Sequence, residues 1–414
     1  MPGVRPFRAL RYNPSLVGDL SRVIAPPYDV IGPQEQDWLY QASPHNVIRL
    51  ILGKTSPEDT AQENRYSRAK YDFTAWRDQR VLEQDEELAL YLIEQSFAEP
   101  DGARRARLGF IALMELGEHS VYKHEATLAA PKQDRTRLFE AIPANLEPIF
   151  CVYPDEGAVV HRRLQDYAAR TGPTVQATLG GDGITLWRVT DQALIQEVVR
   201  RLAPVTALIA DGHHRFEVAY ANRQRYGTLM TYFVSMEEPS LVVRPIHRMC
   251  KGLGRSATPA LRDVCELTPV SALEGLLQWL AGEAGREGGQ FGYYDGYAFY
   301  RAIVRPERLQ AWLNAPTVPA PLAALDVCLL HGLILPSISG GSAPDCVYPA
   351  DAAQAVQTAD QGENRSVWLL RGIPLTQVYA LAGQGLSLPP KSTYFYPKVP
   401  SGLTISLFEE GSAR

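Results

Sequence analysis

The sequence predicts a mixed α/β (α+β) protein, on three observations. Apolar runs of strand length alternate with longer runs of helical period through most of the chain. Proline and glycine gather between these runs, where turns belong. The 414 residues are 45% hydrophobic and 21% charged, a globular composition long enough for two or three cores.

Taken in order, "RVIAPPYDVIGPQEQ" reads as a short apolar strand, a rigid Pro26-Pro27 corner and a helix opening near Pro33. Asp29 stands just past that corner. "LALYLIEQSF" and "RLGFIALMEL" are strand-like and joined by the turn-rich "AEPDGARRA", so a hairpin is expected. A helix over 131–142 and a further strand, "IFCVY", follow. "AVVHRRLQDYAARTG" and "DQALIQEVVRRLA" are helical; the Gly-rich turn in "LGGDGITLW" joins two strands. "VTALIA" then gives a strand that runs into a turn and a helix. Beyond "TLMTYFVSM" and "LVVRPIHRM", helix and strand alternation resumes in "DAAQAVQTADQ", "SVWLL" and "PLTQVYALAGQ". The Gly/Ser/Pro-rich passages around Gly252–Pro259 and Pro336–Pro344 are the best boundary candidates. They suggest a core over 1–255 and a C-terminal α/β portion over 256–414.

Several function classes recede. Lys and Arg number 41 against 46 Asp and Glu, a net charge of −5, so no global basic field favours nucleic acid or an anionic membrane surface. No basic arm or helix-turn-helix stands out. The opening "MPGVRPFRALRYNP" lacks a signal peptide's apolar segment, and no run approaches the roughly 20 apolar residues of a membrane span; a cytoplasmic protein is expected. The five cysteines are scattered without CxxC spacing and read mostly as packed thiols. G-x-x-x-x-G-K-[ST], G-x-G-x-x-G and G-x-S-x-G motifs are all missing.

The leading site candidate is "ALIADGHHRFEVAYANR", residues 207–223. A helix N-terminus carries unpaired N–H groups and partial positive charge, a ready cradle for phosphate. Asp211 stands where an N-cap belongs, and Gly212 lets the backbone approach a ligand. His213, His214 and Arg215 follow on the first turn, where Arg can grip phosphate with parallel bonds and His can donate or carry protons. Phe216 and Tyr220 form an apolar face that belongs to the core. Adjacent histidines point apart, which argues against a shared transition metal. Mg²⁺ held mainly by nucleotide phosphates needs fewer protein ligands.

Two further charged stretches are candidates for substrate or lid roles. "KHEATLAAPKQDR" contributes His124, Glu125, Lys132, Asp134 and Arg135; "PPKSTYFYPK" contributes Lys391, Ser392, Thr393 and Lys398, with an edge strand guarded by charge as its plain alternative. Asn145 and Glu147 in "ANLEP" are weaker candidates.

The blocks "PFRALRYNP", "VIAPPYDVI", "HNVIRLILGK", "KHEATLAAPKQDR", "ANLEPIF", "IADGHHRFEVA" and "PPKSTYFYPKVPSGL" together resemble the prokaryotic family called domain of unknown function 1015, from Phe7 to Leu403. More distantly, the Asp-Gly-His-His-Arg block after a strand is similar to the nucleotide-phosphate motif of the ParB/sulfiredoxin superfamily and its free-serine kinases. That resemblance implies a ParB/sulfiredoxin-like nucleotide-binding core with a large insertion, and a nucleotide (ADP, ATP or CTP) with Mg²⁺. It implies phosphorylation of a small hydroxylated metabolite such as L-serine, with Asp29 as base. Asp29 stands in for the family's glutamate, and about 180 residues separate it from Asp211, so the analogy requires an insertion that loops out. The alternative is a nucleotide-binding switch without an acceptor, as CTP-binding ParB proteins are.

Overall fold

A computed structural model describes residues 3–99, 102–118, 121–125, 129–282, 288–341, 344–362 and 364–408. The fold is mixed α/β, as expected, and divides into two compact units. The first comprises residues 1–123, 127–242 and 397–414; the second comprises 124–126 and 243–396. The expected boundary after residue 255 therefore falls inside the second unit, and the chain returns to the first unit at its end.

The first unit is built on a nine-stranded sheet. Its strands are β1 (Val4–Arg5), β2 (Leu90–Ala98), β3 (Arg104–Glu115), β4 (Val121–Tyr122), β5 (Ile149–Tyr153), β6 (Val175–Leu179), β7 (Asp182–Val189), β8 (Ala207–Asp211) and β9 (Thr228–Ser235). Their order across the sheet is β4-β8-β5-β9-β3-β2-β7-β6, with β1 also on β3. The hairpins β2–β3 and β6–β7 lie where the turn signals place them, with Tyr91 opposite Ile111 and Asp182 opposite Leu179. β8 is antiparallel to β5 and parallel to β4, and β9 is parallel to β5.

Helices α1 (Arg65–Asp78), α2 (Ala129–Ala141), α3 (Val159–Arg170), α4 (Gln192–Leu202) and α5 (His213–Ala221) accompany this sheet. Helix α2 begins two residues earlier than expected and ends one earlier. One core gathers Phe110, Tyr153 and Phe233 from the strands with Val160, Leu164, Ile195, Val198 and Phe216 from α3, α4 and α5. A second core joins Tyr12, Val23, Ile48, Trp76, Leu138 and Ile405, tying the N-terminal segments to α1, α2 and the returning C-terminal chain. Burial of such side chains contributes roughly 1.5–3 kcal/mol each.

The second unit carries a six-stranded sheet. Its strands are β10 (Arg248–Lys251), β11 (Cys265–Val270), β12 (Gln290–Tyr294), β13 (Phe299–Val304), β14 (Cys346–Val347) and β15 (Arg365–Leu369), in the order β11-β13-β12-β15-β10-β14. Helices α6 (Leu273–Gly282) and α7 (Ala352–Asp360) bury Leu276, Leu280, Ala355 and Ala359 against Val367 and Leu369. A further helix, α8 (Leu375–Gly383), follows β15.

The cysteine expectation needs correction. Cys151, Cys265 and Cys328 are buried thiols, but Cys250 and Cys346 form a disulfide. The two face each other across the β10–β14 ladder, a proximity that 96 residues of intervening sequence conceal. Among the described residues, no helix is long and apolar enough to cross a membrane.

Candidate functional site

The strand-turn-helix expected at residues 207–221 is β8, Gly212 and α5. Every residue of β8 is buried, so the strand holds its C-terminal end rigidly. A register shift between Ile209 and Asp211 marks an irregularity in the ladder with β5; such bulges re-aim side chains at the rim of a sheet. Here it falls at the site.

Asp211 is not the N-cap. It is the last residue of β8, and the cap position is Gly212, in the left-handed region with φ 92° and no side-chain cap bond. A Cβ at Gly212 would lie 2.9 Å from Ile149 Cγ2 and 3.1 Å from Arg215 Cζ, so both backbone angle and space require glycine. The amides of the first turn of α5 therefore have no side-chain cap from the preceding turn.

Asp211 instead anchors two cations. Lys398 Nζ donates to Oδ1, and Arg215 Nη2 donates to Oδ2 at 2.8 Å. Burial alone would raise the carboxyl's pKa, but the charges of Lys398 and Arg215, the Lys398 hydrogen bond and nearby His213 outweigh it and hold the group at about 2. Arg215 also donates through Nη1 to the Pro148 carbonyl. Its Nε is buried without a hydrogen-bond partner among the described residues. Burial acts to lower the Arg215 pKa, yet Glu147, Asp211, Asp29 and Tyr28 together raise it. His213 is buried and His214 half-buried on the same turn.

Asp29 thus lies within electrostatic reach of Arg215, although the two are far apart in sequence. It is exposed, on a single 3₁₀ turn, Tyr28–Val30, that follows Pro27. The turn is held from below by Glu147, whose Oε1 accepts from the Tyr28 amide at 3.2 Å and from Ser401 Oγ at 3.0 Å. Its Oε2 accepts from Arg135 Nη1 at 3.2 Å. The Arg135 guanidinium lies 3.7 Å from the centre of the Tyr28 ring, a cation–π contact that fixes the turn. Desolvation raises the Tyr28 pKa against the lowering pull of Arg135 and Arg215, so its phenol stays protonated. The sequence pattern points only weakly to Glu147 and not at all to Tyr28 or Ser401. The usable signal was position: Glu147 ends the loop entering β5, the strand beside β8.

The remaining charged candidates take other places. Asp134 accepts from Tyr66 Oη at 2.7 Å and from Arg65 and Arg135, supporting Arg135 from behind. Lys132 donates to Glu217 at 3.0 Å. His124, Glu125, Lys391, Ser392 and Thr393 belong to the second unit, whereas Lys398 belongs to the first. In the second unit, His124 Nε2 and Thr393 Oγ1 are 2.9 Å apart, and Glu125 accepts from the Lys391 amide. Ser392 Oγ donates to the Pro389 carbonyl. Thr393–Tyr396 is a short strand in a two-stranded ladder. The chain changes unit between Tyr396 and Pro397, which assigns the lid candidates Lys391 and Lys398 to different units.

Residues 4–328 match the family described as protein of unknown function, DUF1015. The chain belongs to that family. The match takes in both Asp29 and the β8–α5 turn; the block around Lys398 lies beyond it. No curated protein matches the DUF1015 chain in sequence. Similar solved structures include a free serine kinase in complex with AMP, at 14% identity and TM-score 0.35, covering 69% of this chain and 86% of that one. Another is a conserved hypothetical protein from Pyrococcus furiosus, at 13% identity and TM-score 0.38, covering 72% and 95%. A third is SbnI with a C-terminal truncation from Staphylococcus aureus, at 10% identity and TM-score 0.39, covering 72% and 87%.

Proposed function

We propose that the DUF1015 chain transfers a phosphoryl group from a nucleotide to a small hydroxylated metabolite, with free L-serine as the first acceptor to test. The observation that supports it most directly is the uncapped N-terminus of α5, opened by left-handed Gly212 and flanked by Lys398 and Arg215. Phosphate is the anion such a cradle suits best. Asp211 serves to orient both cations rather than to act as a base, since its carboxylate is already saturated with charge.

In this reading Lys398, Arg215 and the first-turn amides of α5 hold the nucleotide phosphates, with His213 and His214 as further donors. Asp29, exposed and within electrostatic reach of Arg215, receives the acceptor. The acceptor's hydroxyl oxygen bonds to the terminal phosphorus while the bond from that phosphorus to the nucleotide's bridging oxygen breaks. The hydroxyl proton passes to the Asp29 carboxylate, and the electron pair leaves on the nucleotide. Such transfer depends on positioning and charge neutralisation more than on covalent help.

Mg²⁺ would enter with the nucleotide. The donor set suits that limited role: the described residues contain no cluster of three His, Cys, Asp or Glu side chains able to hold an ion alone, and Asp211 and Glu147 are already bonded to cations. When bound, Mg²⁺ neutralises phosphate charge, with waters and phosphate oxygens as its main ligands.

The test is phosphorus NMR of the full chain with Mg²⁺ and ADP, ATP or CTP, each with and without L-serine. A phosphomonoester resonance that appears only with serine supports the kinase and names its donor. Shifted nucleotide resonances without product favour the binding switch or another acceptor. Unperturbed spectra with all three nucleotides overturn the reading.

A further inference from the structure

The second unit contains a cavity of about 300 Å³ lined in part by Arg248, Asp326, Arg371, Gln377 and Ser392. At about 30 Å³ for each water-sized group, it has room for roughly ten non-hydrogen atoms.

Arg248 is the unusual wall residue. Its side chain is fully buried at 0% exposure. Nε donates to His331 Nε2 at 2.9 Å, and Nη1 donates to the carbonyls of Ile246 at 2.7 Å and His247 at 3.3 Å. The guanidinium lies over the Tyr348 ring at 4.8 Å. Its Nη2 has no hydrogen-bond partner among the described residues. The charge of Glu125 acts on Arg248, as does Tyr348, but neither forms an ion pair with it. A buried cation held only by neutral acceptors leaves much of its desolvation cost uncompensated.

No other described wall residue supplies the missing charge. Asp326 is committed to Arg371, accepting from Nε at 2.7 Å and from Nη2 at 2.9 Å, and it also accepts from the Gly289 amide. His247 and His331 are neutral at physiological pH: burial, with the nearby Arg248 charge, holds each at about 4. Among the described wall residues, the charge of Arg248 is thus without an ion-pair partner. The loop 370–374 and Gln377 lie along the same wall at the start of α8, where Pro374 has no N–H and the Gln377 amide is bonded to the Pro374 carbonyl at 2.9 Å. The partial charge of that helix end favours the same sign of ligand.

From this geometry we infer that the second unit binds a small oxyanion, a carboxylate or a phosphate group on a molecule of about ten heavy atoms, with Arg248 Nη2 as its donor. The site is independent of the nucleotide reading for the first unit.

Calorimetric titration of the full chain with sodium phosphate and, separately, sodium malonate at constant ionic strength tests this. Saturable binding of either probe that weakens about tenfold or more in Arg248→Met supports the site. Phosphate alone points to a phosphate ester, malonate alone to a carboxylate, and both to general oxyanion capture. Dilution heats only, or unchanged affinity in Arg248→Met, overturns it. Should Arg248→Met fail to fold, wild-type crystals soaked in selenate answer the same question. A selenium anomalous peak within hydrogen-bond distance of Nη2 supports the site; peaks only elsewhere overturn it.

Discussion

Lys398 and Asp211 form a buried ion pair across 187 residues of sequence. The pair gives the strand-turn-helix motif its second cation. It also makes the motif dependent on a segment that local sequence patterns assign elsewhere.

The acid stability of the protein should report this pair. Asp211 has a folded pKa of about 2, below the ordinary 3.8. Its contribution is therefore fully present above about pH 4 and is lost as the pH falls toward 2, on the order of 2 kcal/mol. In Lys398→Met, burial is no longer outweighed to the same degree. The acid limb of a urea-denaturation series should move to higher pH, with an overall loss of about 3–5 kcal/mol. An acid limb identical to wild type would show that the pair does not form.

Gly212→Ala should destabilise by about 1–3 kcal/mol, since alanine pays for left-handed backbone and its Cβ meets Ile149. Equilibrium denaturation measures the loss. Affinity for nucleotide should fall as well, because the same backbone angle presents the first-turn amides of α5.

Asp29→Asn should leave nucleotide affinity within about twofold and lower turnover by 100-fold or more, the loss expected for a missing general base. Among the described residues the exposed side chain makes no hydrogen bond that the fold requires. Turnover unchanged in this variant would remove Asp29 from the mechanism.

His247 and His331 should titrate near pH 4 by NMR. Burial lowers both, and Arg248 lowers them further, so in Arg248→Met each should titrate at higher pH. Because the folded state resists their protonation, their effect on stability is flat above about pH 6.5 and unfavourable as the pH falls from there toward 4.

Thiol titration in denaturant without reductant should count three reactive cysteines of the five. Closing a loop of 96 residues stabilises by about 4.7 kcal/mol in the chain-entropy picture. Prior reduction should expose all five thiols and lower the melting temperature; five thiols without reductant would exclude the Cys250–Cys346 bond.

Elements with strong local periodicity were legible in the sequence. The β2–β3 hairpin, α3, α4 and the β8–α5 turn follow from runs whose hydrophobic spacing matches a single secondary structure. Asp29 and Arg215 were legible as residue types, and the structure places them within electrostatic reach of each other. Lys398, Glu147 and Tyr28 were not assigned their places, because their partners come from segments remote in sequence. The disulfide was hidden for the same reason. Asp211 was misassigned by an ordinary rule, since Asp before a helix is usually a cap; the irregular ladder with β5 and two cations gave its carboxylate another use.

The return of residues 397–414 to the first unit also sets an order of events during synthesis. A nascent chain can acquire β8, Gly212 and α5 long before Lys398 emerges from the ribosome. Until then Asp211 lacks one of its two cations, and Glu147 lacks the Ser401 hydroxyl. Completion of the ion-pair cluster around Asp211 is thus coupled to translation of the last segment, and a chain stopped after the second unit would carry the motif without its lysine.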